Sequence, residues 1–148
     1  MDYKKLIKAI LIPVLIGIIV GLIMGPFNDY KSLELPPLAP PGIVFPIVWS
    51  ILYILMGVSA YLIEQDKNSN NLSIYYLQLG FNALWSIIFF VFKWHLLAFI
   101  WIIILIILVI IMIIRFYKIN KTAAWLNLPY LLWLIFAAYL NLGVYLLN

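Results

Sequence analysis

The chain has 148 residues, 68% of them hydrophobic and 9% charged, with a formal net charge of +4 and no cysteine. A soluble domain of this length needs a polar shell, and a mean hydropathy of +1.16 cannot supply one. The composition therefore specifies an integral membrane protein and excludes disulfides and thiolate metal sites, while the clustering of its cations between apolar runs indicates lipid headgroups, not nucleic acid.

Five charge-free runs follow in order, at residues 9–25, 43–63, 72–92, 96–114 and 122–147. Each is near the roughly 20 residues that a helix needs to cross the hydrocarbon core, and none alternates like a barrel strand. The runs predict an all-α integral membrane protein, a bundle of five transmembrane helices in one domain over 1–148. The helices are expected at about 6–25, 43–63, 72–92, 95–115 and 122–147, with loop 1 at about 26–42.

The first run follows Lys4, Lys5 and Lys8 in the manner of a signal peptide. It has no small-residue cleavage site and ends in MGPFNDY, so it reads as a retained helix. Gly17, Gly21 and Gly25 repeat along it at four-residue spacing, which lets a neighbouring helix approach, helix 2 or 5 being the expected partner. Loop 1 then runs into PPLAPPGIVFPIVW, residues 36–49, with five prolines in fourteen positions. Paired prolines fix φ and favour extended polyproline geometry, and Pro41 and Gly42 suit a helix start. Two readings stay open for this segment, a rigid elbow that starts helix 2 and an ordered lid over a site at the outer face.

Charge asymmetry sets the expected orientation. Lys4, Lys5, Lys8, Lys67, Arg115, Lys118 and Lys121 fall on one side of the runs, and only Lys31 and Lys93 on the other. Seven against two places the N-terminus inside the cell membrane, with loop 1, the short KWH loop and the C-terminus outside.

No ionisable residue lies inside any run, which argues against a proton-coupled transporter, a pump or a voltage sensor. The polar residues within the runs include Ser50, Ser59, Gln78, Asn82, Ser86, Asn127 and Asn141, whose default role is a hydrogen bond to a neighbouring helix. His95 reads as a solvated loop residue, and no metal site is expected. Aromatic residues reach 17%; Trp94, Tyr117 and Trp125 suit the interfacial belt, but three other sets share helix faces, two of them with asparagine. These are Trp49 with Tyr53, then Asn82 with Trp85 and Phe89, then Trp133 with Ala137 and Asn141. Such faces should point inward and suit a flat, apolar, aromatic ligand.

Three stretches on these faces, VFPIVWSILYILMG (44–57), QLGFNALWSIIFF (78–90) and PYLLWLIFAAYLN (129–141), resemble the signatures of the translocator protein family, also called tryptophan-rich sensory protein or peripheral-type benzodiazepine receptor. The resemblance runs from about residue 30 to the end. It implies five membrane helices, a homodimer, and a pocket closed by loop 1 that binds porphyrins and, in some members, cholesterol or benzodiazepine-type drugs. In bacterial members it implies light-dependent breakdown of protoporphyrin IX, a ligand or substrate and not a resident cofactor, with light and oxygen required. Trp49, Asn82, Trp85, Trp133, Ala137 and Asn141 match its pocket positions. With Tyr30 of loop 1 and Phe45, Tyr53 and Phe89 beside them, they form the expected ligand-binding set, and Trp49 and Trp133 are the expected photochemical residues.

Two departures qualify the resemblance. Asp29 precedes Tyr30 where the family often has tryptophan, so one aromatic wall of the lid is missing. The animal cholesterol motif fails because Leu142 follows Asn141 with no basic residue after it, and the formal match at Val58, Tyr61 and Lys67 carries little information. Cholesterol transport is not expected. Alternatives to porphyrin degradation are a porphyrin carrier and a sensory or structural membrane partner.

Overall fold

The computed structural model describes residues 1–66 and 72–148, and every regular element among them is helical. Helix α1 spans Tyr3–Met24, α2 Val44–Glu64, α3 Ser73–Ser86 and α4 His95–Ile119, followed by α5 at Lys121–Leu126 and α6 at Leu128–Leu147. Lengthened by a π-helical turn, Ile87–Val91, after α3 and by joining α5 to α6, these give five helical spans long and apolar enough to cross a membrane. Lys67, counted above for orientation and for the formal sterol match, lies outside the described residues.

Each start and stop has a local cause. Asp2 caps α1, its carboxylate accepting from the N–H groups of Lys4 and Lys5 at 3.1 and 3.3 Å. Helix α2 begins at Val44, later than Pro41 and Gly42 had suggested, because those residues form a preceding turn in which Pro41 O accepts from Val44 N. Pro46 then lies in the first turn of α2, where its missing N–H leaves nothing unpaired.

The fifth span is not the single helix expected at 122–147. It breaks at Asn127, with Pro129 in the first turn of α6. Asn127 N–H bonds to Ala124 O at 3.1 Å and not to the carbonyl one turn back, at Ala123. That freed Ala123 carbonyl accepts from Asn127 Nδ2 at 3.1 Å and from Ser59 Oγ of α2 at 2.8 Å. The break is thus stitched to a neighbouring helix by the groups it exposes. The expected 115–121 loop is likewise only Asn120, which ends α4 and caps α5 by accepting from Ala123 N at 3.0 Å.

Helix α4 packs against α3, α5 and α6, and α1 lies against α2. The inward stripe of α4 is Ala98, Ile102, Leu105, Val109, Met112 and Phe116, all essentially inaccessible. Its steps of four and three are the coiled-coil-like repeat of a helix packed along its length. Ile100, Ile103, Ile107, Ile110 and Ile114 occupy the opposite, exposed face.

The glycines of α1 do not act together. A Cβ on Gly17 would come within 2.5 Å of the Tyr53 ring of α2, whereas Gly21 and Gly25 face open space. Helices α1 and α2 approach closely at Gly57 of α2, where a Cβ would meet the Ile10 backbone and lie 2.8 Å from Ala9 O. Pro13, within α1, has no N–H to give that Ala9 carbonyl, so the carbonyl turns outward just where α2 has no side chain.

Candidate functional site

Loop 1 is ordered by contacts at both ends and in the middle. Tyr30 donates its hydroxyl to Pro40 O at 2.6 Å, and partial burial pushes that phenol above its ordinary pKa. Pro36–Ala39 forms a turn closed by Ala39 N–H to Pro36 O at 3.3 Å. Pro37 occupies its second position and Leu38, with φ of 72°, its third, the place where a type II turn normally has glycine. The double proline is therefore a turn and not a straight polyproline rod. Tyr139 of α6 donates to Pro37 O at 2.6 Å, and the buried Pro36 ring fills the space above Gly143. Glu34 and Asn148 exchange two hydrogen bonds, at 3.1 and 2.9 Å. From the far side Lys93 reaches Asp29 at 3.0 Å.

Beneath this cover lies a half-buried aromatic wall. Phe45 stands edge-on to Tyr30 at 5.0 Å and to Trp133 at 5.8 Å, while Trp49 stacks on Tyr53 at 5.5 Å and meets the Tyr130 edge at 6.2 Å. The indole nitrogen of Trp133 is buried and has no hydrogen-bond partner. An unpaired buried donor costs about 1–3 kcal/mol, so this N–H is a ready partner for an incoming acceptor.

Deeper in, the polar residues engage one another across helices. Tyr53 donates to Asn82 Oδ1 at 2.8 Å, Asn82 Nδ2 to Tyr130 Oη at 2.8 Å, and Tyr130 to Gln78 Oε1 at 2.7 Å. This relay ties α2, α3 and α6 together. A second set joins α3, α6 and α4, with Trp85 Nε1 donating to Asn141 Oδ1 at 3.0 Å and Asn141 Nδ2 to His95 O at 2.8 Å. Phe89 packs on Trp85 at 5.5 Å and on the His95 ring at 4.6 Å. His95 is accordingly not a solvated loop residue: it opens α4, and its Nε2 is buried without a partner.

The ten expected ligand-binding residues thus divide. Tyr30, Phe45, Trp49 and Trp133 are half-buried along the wall under loop 1, whereas Tyr53, Asn82, Trp85, Phe89, Ala137 and Asn141 are buried in the bundle. The profile of the TspO/MBR family matches residues 9–147. The chain belongs to that family.

Its relatives within the TspO/MBR family include archaeal, fungal and animal proteins. A tryptophan-rich protein TspO of Archaeoglobus fulgidus is 36% identical over 122 residues, covering 80% of this chain and 79% of that one. The translocator protein homolog of Schizosaccharomyces pombe is 33% identical over 95% of this chain and 90% of its own. The translocator protein of Ovis aries is 32% identical over 78% and 72%. Family membership and the five spans make this a multi-pass membrane protein.

For this TspO/MBR chain, sequence reasoning missed Tyr130, the shared partner of Asn82 and Gln78, although it adjoins Pro129 in the third signature stretch. It also missed the seat of loop 1, Pro36 on Gly143 with Tyr139; the four-residue spacing of Tyr139 and Gly143 on α6 was the available signal. Asp29, noted above as a departure, has a partner of its own in Lys93. Tyr61 of the formal sterol match is buried, with its hydroxyl accepting from Asp2 N at 3.0 Å.

Proposed function

We propose that this protein is a receptor-like membrane protein that binds a tetrapyrrole, protoporphyrin IX, against the aromatic wall under loop 1 and promotes its light-dependent oxidation by dioxygen. The observation that carries this reading is the buried, unpartnered Trp133 N–H beside Phe45, below a loop seated by Pro36, Tyr139 and Asp29. A free-base porphyrin brings a flat apolar ring to stack on the wall, and its π face can accept that N–H. Benzodiazepine-type drugs offer the same pairing of aromatic rings with an acceptor, so they should compete for the site.

The macrocycle enters ring-first, leaving its two propionates near Lys31 and Lys93 at the loop 1 end. Photo-excitation belongs to the porphyrin; the protein holds it in contact with oxidisable indoles, Trp49 and Trp133, as a contribution from reacting groups requires. A homodimer through the outward face of α3 accompanies this reading, since Gly80 there meets nothing within 4 Å and Leu77 and Leu84 beside it are exposed. The lysines around the N-terminus support a cytoplasmic position for it.

The test is an optical titration of the pure protein with protoporphyrin IX, in the dark and under illumination. Binding with bleaching that exceeds that of free porphyrin is the expected result. Binding without bleaching would favour a carrier or sensor, and absence of binding would remove the tetrapyrrole reading altogether.

A further inference from the structure

The opposite end of the bundle holds a second site. A cleft of about 340 Å³ opens where the start of α1, the end of α2 and the start of α3 meet, and Lys5, Lys8, Glu64 and Tyr75 are among the residues that line it. A shallow apolar groove descends the outside of α1 past Ile7, Leu11 and Leu15. Lys8 and Ile12 border both, so the polar cleft continues into the groove.

Three observations specify the occupant. Tyr75 is 1% exposed and its hydroxyl has no hydrogen-bond partner, although it borders a polar cleft. Among the described residues neither lysine is paired with a carboxylate. Two lysines against one glutamate leave the cleft with a positive surplus, and Lys4 on the adjoining groove adds to it. That surplus calls for an anionic phosphate, and a zwitterionic headgroup would leave it uncompensated. The groove below is apolar, exposed and set on a membrane span, as an acyl chain requires.

We propose that cleft and groove together bind one anionic phospholipid with a polyol headgroup. Its phosphate lies between Lys5 and Lys8, its headgroup hydroxyls meet Tyr75 and Glu64, and an acyl chain follows Ile7, Leu11 and Leu15. The site is separate from the aromatic wall and independent of the tetrapyrrole reading. It would fasten α1 to the rest of the bundle from the lipid side.

Native mass spectrometry of the full chain in detergent tests this with three added probes: phosphatidylglycerol, phosphatidylcholine and glycerol 3-phosphate. The wild type should retain one phosphatidylglycerol in preference to phosphatidylcholine, and each lysine should account for roughly a fivefold share of that preference. Lys5→Gln with Lys8→Gln should abolish it, and Tyr75→Phe should weaken retention about threefold. Lys118→Gln with Lys121→Gln, at the same end of the bundle, should leave it unchanged. Equal retention of the two lipids, an unaffected Lys5/Lys8 variant, or an equal loss in the Lys118/Lys121 variant would overturn the proposal. Binding of glycerol 3-phosphate as tight as that of the lipid would also overturn it, by identifying a soluble phosphate ester as the ligand.

Discussion

Lys93 Nζ lies 3.0 Å from Asp29 Oδ2 and so joins the turn between α3 and α4 to loop 1. Lys93 makes this contact from a left-handed backbone, φ of 58°, at a position after a helix where glycine is usual. The lysine side chain is 43% exposed, so the pair is worth only about 0–1 kcal/mol. A lysine in the left-handed region costs roughly 1–2 kcal/mol, which is comparable or larger.

Lys93→Gly should therefore melt at a higher temperature than Lys93→Ala, because both lose the ion pair but only glycine relieves the backbone. In either variant porphyrin affinity should fall only a few-fold. A complete loss of binding would mean that the lysine holds a ligand charge in a buried pair.

The seat of loop 1 should be more sensitive than its latch. Gly143→Val drives a branched side chain into the Pro36 ring, two rigid groups that cannot both stay, at a cost of about 1–3 kcal/mol. Amide exchange at Leu33, Glu34 and Ala39, whose N–H groups are hydrogen-bonded, should accelerate, and ligand dissociation with it. Gly21→Val, whose new side chain meets open space, should change neither.

For the photochemistry, phenylalanine keeps most of an indole's packing but cannot be oxidised as easily. Trp133→Phe, and to a lesser degree Trp49→Phe, should still bind protoporphyrin while losing most of the light-driven bleaching. Trp94→Phe, at an exposed position beyond α3, should behave as wild type. If bleaching in all three simply follows the amount of porphyrin bound, the tryptophans pack the ligand and take no part in its oxidation.

The buried relay gives a stability prediction. Asn82→Leu strands the hydroxyl of Tyr53, at about 1–3 kcal/mol, and takes from Tyr130 the bond it accepts while leaving its bond to Gln78. Tyr130→Phe strands Gln78 and Asn82 instead. The double variant should be less destabilised than the sum of the two, since both break one network. Additive losses in denaturant melts would show that the two residues act independently.

Helix contacts within and between chains can be separated by two glycines. Gly57→Leu should disrupt the fold itself, because the new side chain meets the backbone of α1. Gly80→Leu should leave the fold intact and shift the protein toward monomer, as measured by light scattering. A stable Gly80→Leu dimer would place the seam elsewhere.

Much was legible in the residues alone. Charge-free runs of span length dictate transmembrane helices, since an uncharged apolar stretch of that length can satisfy its backbone in lipid only as a helix. The pairing of asparagine with tryptophan on one face marked the inward sides of α3 and α6, because an amide is costly against lipid, and Asn82, Trp85 and Asn141 are indeed buried. The proline cluster marked the loop, and glycine spacing correctly suggested that α1 packs closely on α2 at Gly17, though not at Gly21 or Gly25.

Other features depend on partners far apart in the chain. Helix α4 is apolar on every side, so nothing in its composition distinguishes Ile102, fully buried, from Ile103, which faces outward; contact with α3, α5 and α6 makes that choice. The break at Asn127 needs Ser59, 68 residues away, to take up the polar groups it frees. The turn in loop 1 needs Tyr139, 102 residues from Pro37, to fix it. Sequence determined the class, the spans and the polar faces because lipid imposes those locally. Tertiary structure decided register, the seat of loop 1 and which amides serve the fold, because each is a hydrogen bond or a close contact between groups that only the folded bundle brings together.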